Sequence, residues 1–321
     1  MILSFLLLPA AVFLTGCEPS ERSFAKQDFA LDTIISVTVY DTDEAHAMRA
    51  LDDALSLCAH YDALFSVSDP SGDIYQLNHA GGGIRTVDPD TYELLSAAIG
   101  YAKDSGGLLD VTIEPLYELW DFSAPTHDAL PTEDDIEAAR AKVDYRSIRL
   151  LPDSKVRLDN GATLNLGALA KGYIADRMKE ELIRDGISSA IINLGGNVLT
   201  IGTKPDGSPF RIGLQKPFGA TGEVITDVSS SDSSVVTSGN YQRYFEYEGR
   251  IMHHILDPTT GYPADTGLNA VTIQTDSSLD ADAFSTVCML LGYEKSLEWL
   301  SDHKNVTAVF IDSNNNILTG P

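Results

Sequence analysis

The densest group of reactive side chains in the sequence is the run HHILDPTTGYPADTG, from His253 to Gly267. A histidine exchanges a proton near neutral pH, and the Asp-Pro and Gly-Tyr-Pro steps restrict the backbone around it. Side chains alternate along a strand, so His253 and His254 are expected on opposite faces. The pattern therefore argues against two histidines on one metal. It predicts a single histidine, His254, held at the end of a strand.

A carboxylate and a hydroxyl recur close together in SLDADAFSTV. Asp282 and Thr286 are four residues apart on a predicted helix, which places both on one face. Their oxygens are hard ligands of the kind that Mg²⁺ prefers, although two protein oxygens alone make an incomplete site. Alternatively, Asp282 complements the helix dipole and Thr286 only packs. The residues by themselves leave both interpretations open.

Small residues surround a lysine in NLGALAKGYIAD, at the opening of a predicted helix. Small side chains let the backbone approach a ligand, and unpaired N–H groups at a helix start attract anions. Lys171 adds a positive charge suited to phosphate. The segment is either a pyrophosphate site or a tightly packed helix N-terminus with a surface lysine.

Paired glycines follow a strand in INLGGNVLTIG. Gly195 and Gly196 indicate either a turn with positive φ or a ligand that touches the backbone. The GxGxxG spacing and a following helix are both missing, so a Rossmann dinucleotide site is not expected.

Helices and strands mix along the chain without a regular βαβ alternation, which favours an α+β fold with mixed, largely antiparallel sheets and packed helices. FALDTIISVTVYDT is typical of a strand, and hairpins are predicted around Glu248-Gly249 and near the C-terminus. Predicted helices run from about Asp43 to Phe65, from Asp90-Thr91 to Gly106-Gly107, from the capping residue Thr132, and through LGALAKGYIADRMKEELIRDG to Gly186.

The chain is strongly acidic, which bears on its partners. It has 321 residues with 47 acidic against 22 basic side chains, a net charge of −25. Such a field repels nucleic acid, so we expect no nucleic-acid partner. Cys58 and Cys288 lie in apolar helical stretches, where we expect small buried thiols, with a disulfide between them as an alternative.

The N-terminus, MILSFLLLPAAVFLTGC, is an apolar stretch too short to span a bilayer comfortably. It resembles a lipoprotein signal peptide over residues 1–16, followed by Cys17 as the lipidated residue and a polar tether over 17–28. An n-region without Lys or Arg departs from that pattern, and a core element is the alternative. We expect an extracytoplasmic protein with a lipid anchor in the cell membrane.

In this order, the segments resemble those of the ApbE family, Mg²⁺-dependent FAD:protein FMN transferases that are often exported as lipoproteins. The resemblance implies an ApbE-like (T-fold-like) α+β domain over residues 29–321. Any one motif is weak, but eight in register are highly specific. The segments are LDT at Leu31, FSVSDPSGDIYQLN at Phe65, LLDVTIEPLYELW at Leu108, LNLGALAKGYIAD at Leu164, NLGGN at Asn193, TSGNYQR at Thr237, HHILDPTTGYP at His253 and ADAFST at Ala281.

The resemblance also implies a reaction. The FMN half of FAD is moved to a threonine hydroxyl of an acceptor flavoprotein, in exported or membrane redox systems, and AMP is released. Three alternatives remain: an FAD pyrophosphatase that uses water, a non-catalytic FAD-binding lipoprotein, and an adhesin or solute-binding lipoprotein without flavin.

Site residues follow from the same resemblance. Mg²⁺ ligands are expected at Asp282, Thr286 and the backbone carbonyl of Ala168. His254, Asp282 and Lys171 are expected to act in catalysis, with His254 as a hypothetical general base. FAD contacts are expected at Leu31, Ser68, Leu109, Asp110, Val111, Asn165, Lys171, Gly195, Gly196, Thr237 and His254.

Four positions depart from the family pattern. Asn165 stands where the family has an FAD-contacting aspartate, and Asn197 ends the segment that the family writes NLGGD. Leu31 replaces a methionine, and Ser68 replaces a frequent aromatic residue. These changes concern flavin and adenine contacts rather than the cation and phosphate groups.

Overall fold

The structure, a computed structural model, describes residues 21–124 and 126–321. The predicted signal peptide and the lipidation site Cys17 lie outside these residues. No helix within them is long and apolar enough to cross a membrane.

Eight α-helices and one 3-10 helix, Tyr145–Ser147, occur within the described residues. The α-helices are α1 Glu44–Phe65, α2 Asp73–Asn78, α3 Pro89–Asp104, α4 Glu114–Trp120, α5 Glu133–Arg140, α6 Ala170–Arg184, α7 Ser278–Leu291 and α8 Tyr293–Leu300. The strands are β1 Arg22–Ala30, β2 Thr33–Asp41, β3 Arg85–Thr86, β4 Ile148–Leu151, β5 Lys155–Leu158, β6 Ala190–Leu194, β7 Asn197–Ile201, β8 Phe210–Gln215, β9 Val224–Ser230, β10 Ser234–Gly239, β11 Tyr244–Tyr247, β12 Arg250–His253, β13 Leu268–Thr275, β14 Thr307–Asp312 and β15 Ile317–Gly320.

One large antiparallel sheet organises the molecule, in the order β1-β2-β6-β7-β10-β13-β14-β15. Helices α1, α6 and α7 pack against it, and their apolar faces form one continuous core with the sheet. Three smaller antiparallel sheets, β3-β5-β4, β8-β9 and β11-β12, complete the described part of the chain. The predicted α+β class with largely antiparallel sheets is confirmed.

The N-terminal segment corrects one prediction. Residues 22–28, assigned to the polar tether, belong instead to β1, which pairs with β2 from Arg22↔Asp41 to Ala30↔Thr33. Most side chains of this edge strand are exposed, so its composition can be polar. Polarity alone therefore did not distinguish this strand from a tether.

Helix starts agree with the local capping signals. Asp43 caps α1 by accepting from Ala45 N at 2.9 Å, and Thr132 caps α5 by accepting from Asp135 N at 3.2 Å. Helix α6 begins at Ala170, later than the sequence suggested, because Leu169 and Ala170 both donate their N–H groups to Leu166 O in a preceding turn.

A second, smaller core supports the histidine-rich corner. Leu116 and Trp120 of α4 and Ile136 of α5 pack with Phe245 and Met252 of the β11–β12 hairpin. Trp120 also donates its indole N–H to Gly261 O at 2.8 Å. The corner after β12 is thereby fixed against α4.

Both internal cysteines are free thiols rather than a disulfide. Cys58 and Cys288 are fully buried in α1 and α7. Burial raises the pKa of each thiol to about 12, which keeps both protonated and unreactive.

Candidate active site

A cavity of about 780 Å³ lies where α4, α6, α7 and the β11–β12 hairpin meet the large sheet. This volume is typical of a pocket for a small molecule or cofactor. Gly196 is the one predicted site residue of the described ranges that does not line it. Those that do are Leu31, Ser68, Leu109, Asp110, Val111, Asn165, Ala168, Lys171, Gly195, Thr237, His254, Asp282 and Thr286.

Close contact between α6 and α7 positions Lys171 beside Asp282. Gly172 has no room for a side chain, because a Cβ would lie 2.4 Å from Ser278 O. Asp176 of α6 accepts hydrogen bonds from the N–H groups of Ser278 at 2.9 Å and Leu279 at 3.0 Å, so it caps the start of α7. The two helix starts are thus locked together.

The Asp282 carboxyl group is nearly buried, with 4% of its surface exposed. Oδ2 accepts from Gly172 N at 2.8 Å, and no group in the described ranges hydrogen-bonds to Oδ1. Burial raises the pKa of Asp282 to about 6, whereas the Lys171 charge and the Gly172 N–H favour the ionised form. A cation beside Oδ1 would offset this desolvation.

The Gly172 N–H has a second consequence for the backbone. In a regular helix it would donate to the carbonyl four residues earlier, that of Ala168. Because it donates to Asp282 instead, the Ala168 carbonyl oxygen has no helical partner. A carboxylate, a carbonyl and the Thr286 hydroxyl, which all border the cavity, therefore supply hard oxygens.

These three oxygens supply only part of the ligand shell of a Mg²⁺ ion. No group of three or more His, Cys, Asp or Glu side chains suited to a metal occurs in residues 21–124 and 126–321. Three protein oxygens leave room for ligand oxygens, which is the usual arrangement for Mg²⁺ bound with phosphates. The residues present fit a cation that arrives with its substrate.

His254 faces the cavity from the residue after β12. The backbone N–H of His254 donates to Arg243 O at 3.1 Å, and the ring nitrogen Nδ1 lies 3.1 Å from the same oxygen. A carbonyl only accepts, so Nδ1 carries the proton and Nε2 is left as an acceptor. Although part of the ring borders the open cavity, burial among protein atoms lowers the pKa of His254 to about 3. The imidazole is neutral near pH 7.

His253 has a structural position on the opposite side of the strand. It is 4% exposed, its Nε2 donates to Ala264 O at 2.8 Å, and its Nδ1 accepts from Ile255 N at 3.3 Å. Both ring nitrogens are therefore occupied, and burial lowers the pKa of His253. The prediction that only one of the two histidines faces the site is confirmed.

The glycine pair forms the β6–β7 turn. Gly195 and Gly196 have φ values of 67° and 101°, and a Cβ on Gly195 would lie 2.4 Å from Thr33 Cγ2. A glycine is thus required here, because the backbone of Gly195 approaches β2 too closely to leave room for a side chain. Asn197, which follows, is buried and accepts from Ser278 Oγ at 2.8 Å.

The Asp110 carboxylate is buried and hydrogen-bonded to the backbone around it. Its carboxylate accepts from Thr112 N at 2.8 Å and from Tyr145 N at 2.8 Å, so it holds the loop before α4. Burial raises the pKa of Asp110 against these hydrogen bonds.

Sequence reasoning assigned no role to several polar groups in the cavity wall, among them Glu114, Tyr117 and Arg243. Glu114 is 7% exposed, and its Oε2 accepts from Asn165 Nδ2 at 2.6 Å. Burial raises the pKa of Glu114 to about 7. An acidic residue at a helix start is ordinary, so the local pattern gave no signal for it.

Known proteins resemble the chain over most of its length. The model of the ApbE family matches residues 31–310. An FAD:protein FMN transferase of Treponema pallidum is 33% identical over 309 residues, with 90% of this chain and 84% of that protein covered. One of Klebsiella pneumoniae is 35% identical over 301 residues, with 92% of each covered.

Solved structures agree with this match. The ApbE protein of Thermotoga maritima superposes with a TM-score of 0.86 at 29% identity, covering 93% of this chain and 97% of that one. The flavinyl transferase ApbE of Pseudomonas stutzeri, in its apo form, gives 0.81 at 28% identity, with 94% of each covered.

Fold, cavity and relatives together define a class of enzyme, the flavin transferases, as the motifs predicted. Within that class, the chain belongs to the ApbE family. The predicted family, fold class and enzyme class are confirmed. The roles of single residues remain predictions.

Proposed function

We propose that this enzyme transfers the FMN half of FAD to a threonine hydroxyl of an acceptor protein and releases AMP, with Mg²⁺ as the required cation. One observation carries the proposal. A single cavity joins hard oxygen ligands at Asp282 and Thr286, a cationic side chain at Lys171 and an imidazole at His254. Phosphoryl transfer uses such groups to position reactants and balance charge.

Three oxygen atoms would hold Mg²⁺: Asp282 Oδ1, Thr286 Oγ1 and the carbonyl oxygen of Ala168. When bound there, the cation would withdraw electrons from the pyrophosphate and neutralise charge on the departing AMP. The carboxyl of Asp282 has to ionise for this role, and the adjacent Lys171 charge favours ionisation.

Lys171 lies in the first turn of α6, where backbone N–H groups and the helix dipole also favour anions. Its ammonium group is suited to a phosphate oxygen. The lock between α6 and α7 keeps that charge next to the cation ligands.

His254 is suited to receive the proton of the acceptor threonine. The Arg243 carbonyl orients the ring, so Nε2 is the atom that accepts. As the threonine oxygen bonds to the FMN phosphorus, the bond from that phosphorus to the bridging oxygen breaks and AMP leaves. The phosphates of a bound FAD would place negative charge near the imidazole and so raise its pKa.

The decisive experiment combines the protein with FAD, Mg²⁺ and a co-expressed threonine-bearing acceptor domain. Mass spectrometry of the acceptor should show the addition of one FMN, with AMP in solution. Free FMN and AMP without an adduct would instead establish an FAD pyrophosphatase. Bound but intact FAD would identify a non-catalytic flavin-binding protein, and no FAD binding would favour an adhesin or solute-binding role.

The site of action is a further proposal. The lipoprotein-like pattern that ends at Cys17 supports a chain anchored by lipid and acting outside the cytoplasm. Its acceptors would then be flavoproteins of exported or membrane redox systems.

A further inference from the structure

A buried carboxyl group in the cavity wall has no part in the reaction described above. Glu114 is the first residue of α4, and 7% of its surface is exposed. Its Oε2 accepts from Asn165 Nδ2 at 2.6 Å. Among the described residues no cation shifts the pKa of Glu114, and the like charge of Glu118 raises it.

The neighbouring amide has only one orientation. Asn165 Oδ1 accepts from Gly167 N at 2.8 Å, so the amide nitrogen must face Glu114. The backbone N–H of Asn165 donates to Val111 O at 2.8 Å, which ties the segment before α6 to the segment before α4. Asn165 therefore fixes one oxygen of the carboxyl group and leaves Oε1 for a ligand.

The surroundings favour the neutral acid. Burial raises the pKa of Glu114 to about 7; the hydrogen bond from Asn165 lowers it, and Glu118 raises it. Tyr117 lies on the same helix, with Arg243 near its hydroxyl. The other titratable groups that line the cavity are Asp32, Asp62, Asp110, Asp121, Lys171, His254 and Asp282. A bound dinucleotide displaces water and adds negative charge, and both changes favour protonation of Glu114.

Glu114 and Tyr117 are three residues apart, so they share one face of α4, and both line the cavity. A flat aromatic surface beside a hydrogen-bonding group is suited to a heterocyclic ring. The negative charge of Glu118 disfavours a phosphate at the same place. The ligand chemistry that fits is an uncharged ring with acceptor atoms.

We propose that Glu114, positioned by Asn165, is a substrate-binding residue that remains a neutral acid and donates a hydrogen bond from Oε1 to an acceptor atom of a bound heterocycle. Ring carbonyl oxygens and ring nitrogens supply such acceptors, and both flavin and adenine carry them. The inference rests on the proposed use of FAD as substrate.

The test is the pH dependence of FAD affinity, measured by calorimetry between pH 6 and 8.5 at constant, saturating Mg²⁺. Because binding requires the proton, the Kd of the wild-type chain should rise about ten-fold per pH unit above pH ~7.5. Glu114→Gln keeps an acceptor for Asn165 and a donor for the ring. It should bind as the wild type does at pH 6 and lose the pH dependence. Glu114→Ala should bind about ten-fold more weakly at pH 6.

Two further variants separate this role from a structural one. Glu118→Gln removes an exposed carboxyl group of the same helix and should retain the pH-dependent loss of affinity. Asn165→Ala removes the hydrogen bond that favours the ionised form, so the midpoint should move to higher pH. Circular dichroism during thermal unfolding checks that each variant is folded.

Titrations with FMN and with AMP assign the ring. A pH dependence for FMN places the acid at the flavin, and one for AMP places it at the adenine; either supports the inference. A wild-type Kd that does not change with pH would overturn it, as would a Glu114→Gln variant as weak as Glu114→Ala, since the carboxylate would then be an acceptor. A wild-type chain that binds no FAD at any pH would overturn the proposed function itself.

Discussion

At the scale of single residues, position decides which of two like groups is available for chemistry. His253 uses both ring nitrogens within the fold, whereas the neighbouring His254 keeps Nε2 towards the cavity. Asp280 and Asp282 differ in the same way, because Asp280 accepts from the Tyr101 hydroxyl at 2.6 Å and lies outside the cavity wall. Each pair supplies a functional variant with a matched control.

His254→Ala should lower the rate of FMN transfer from saturating FAD roughly 10²- to 10⁴-fold, the usual contribution of a general base, beyond any loss of FAD affinity. Single-turnover transfer to an acceptor domain measures the rate, and FAD titration measures the affinity. His253→Ala is the control, and it should lower the melting temperature because it removes a buried hydrogen bond. A His254→Ala enzyme with the full transfer rate would exclude the role of base.

Asp282→Asn should reduce Mg²⁺-dependent transfer by about 10²-fold or more, because a cation ligand worth several kcal/mol in the transition state is lost. The amide can still accept from Gly172 N, so the fold should persist. Initial rates across a Mg²⁺ titration provide the measurement. Asp280→Asn, on the same helix, should keep the Mg²⁺ response, and equal responses in the two variants would contradict the assignment.

At the scale of elements, two helix starts form the centre of the site. The capping of α7 by Asp176 and the close approach at Gly172 set how Lys171, Ala168 and Asp282 face one another. The hairpin β11–β12 approaches from the other side and is held by the small core around Trp120. The cavity therefore depends on helix packing as much as on its own side chains.

Gly172→Ala should destabilise the fold by about 1–3 kcal/mol, the usual cost of overpacking, because the new Cβ would overlap Ser278 O. It should also weaken transfer by separating Lys171 from Asp282. Gly100→Ala is the matched control, since a Cβ there meets nothing within 4 Å in the exposed part of α3. That change should stabilise by ~0.5–1 kcal/mol. Urea unfolding of both variants measures the difference, and similar midpoints would contradict the packing argument.

At the scale of the whole molecule, the cavity lies at the boundary between the large sheet with its helices and the smaller core of α4, α5 and the hairpin. All the cavity residues follow Ala30, and β1 already begins at Arg22. The predicted anchor at Cys17 thus precedes the folded domain by only a few residues. A lipidated chain would hold this domain close to the membrane surface, with the length of β1 between Arg22 and the first cavity residue, Leu31.

Cys17→Ser should move the protein from the membrane fraction to the soluble fraction of a host that processes lipoproteins, because the proposed lipid anchor is lost. Specific activity should stay unchanged, since Cys17 precedes every cavity residue. Immunoblots of separated fractions make the comparison. Cys58→Ser, which alters a buried thiol of α1, should remain with the membrane. A Cys17→Ser protein still bound to membranes would contradict a lipid anchor.

The sequence by itself determined what depends on neighbouring residues and on motif order. The start of α1 near Asp43, the cap at Thr132 and the separation of His253 from His254 were all predicted, and a turn was one of two interpretations of Gly195, because each depends on a few adjacent residues. Eight ordered segments were enough to indicate the family. The polar composition of residues 22–28 was misleading, because strand pairing depends on a partner rather than on composition.

Only the tertiary structure decided how the site is completed. Glu114 meets Asn165 across 51 residues, and Gly172 donates to Asp282 across 110, so no local pattern contains these contacts. The same contacts leave the Ala168 carbonyl oxygen without a helical partner. They also bury the carboxyl groups of Glu114 and Asp282, and this burial raises the pKa of each. Local hydrogen bonds are encoded within one helical turn, whereas burial and shared protons arise only when distant segments exclude water together.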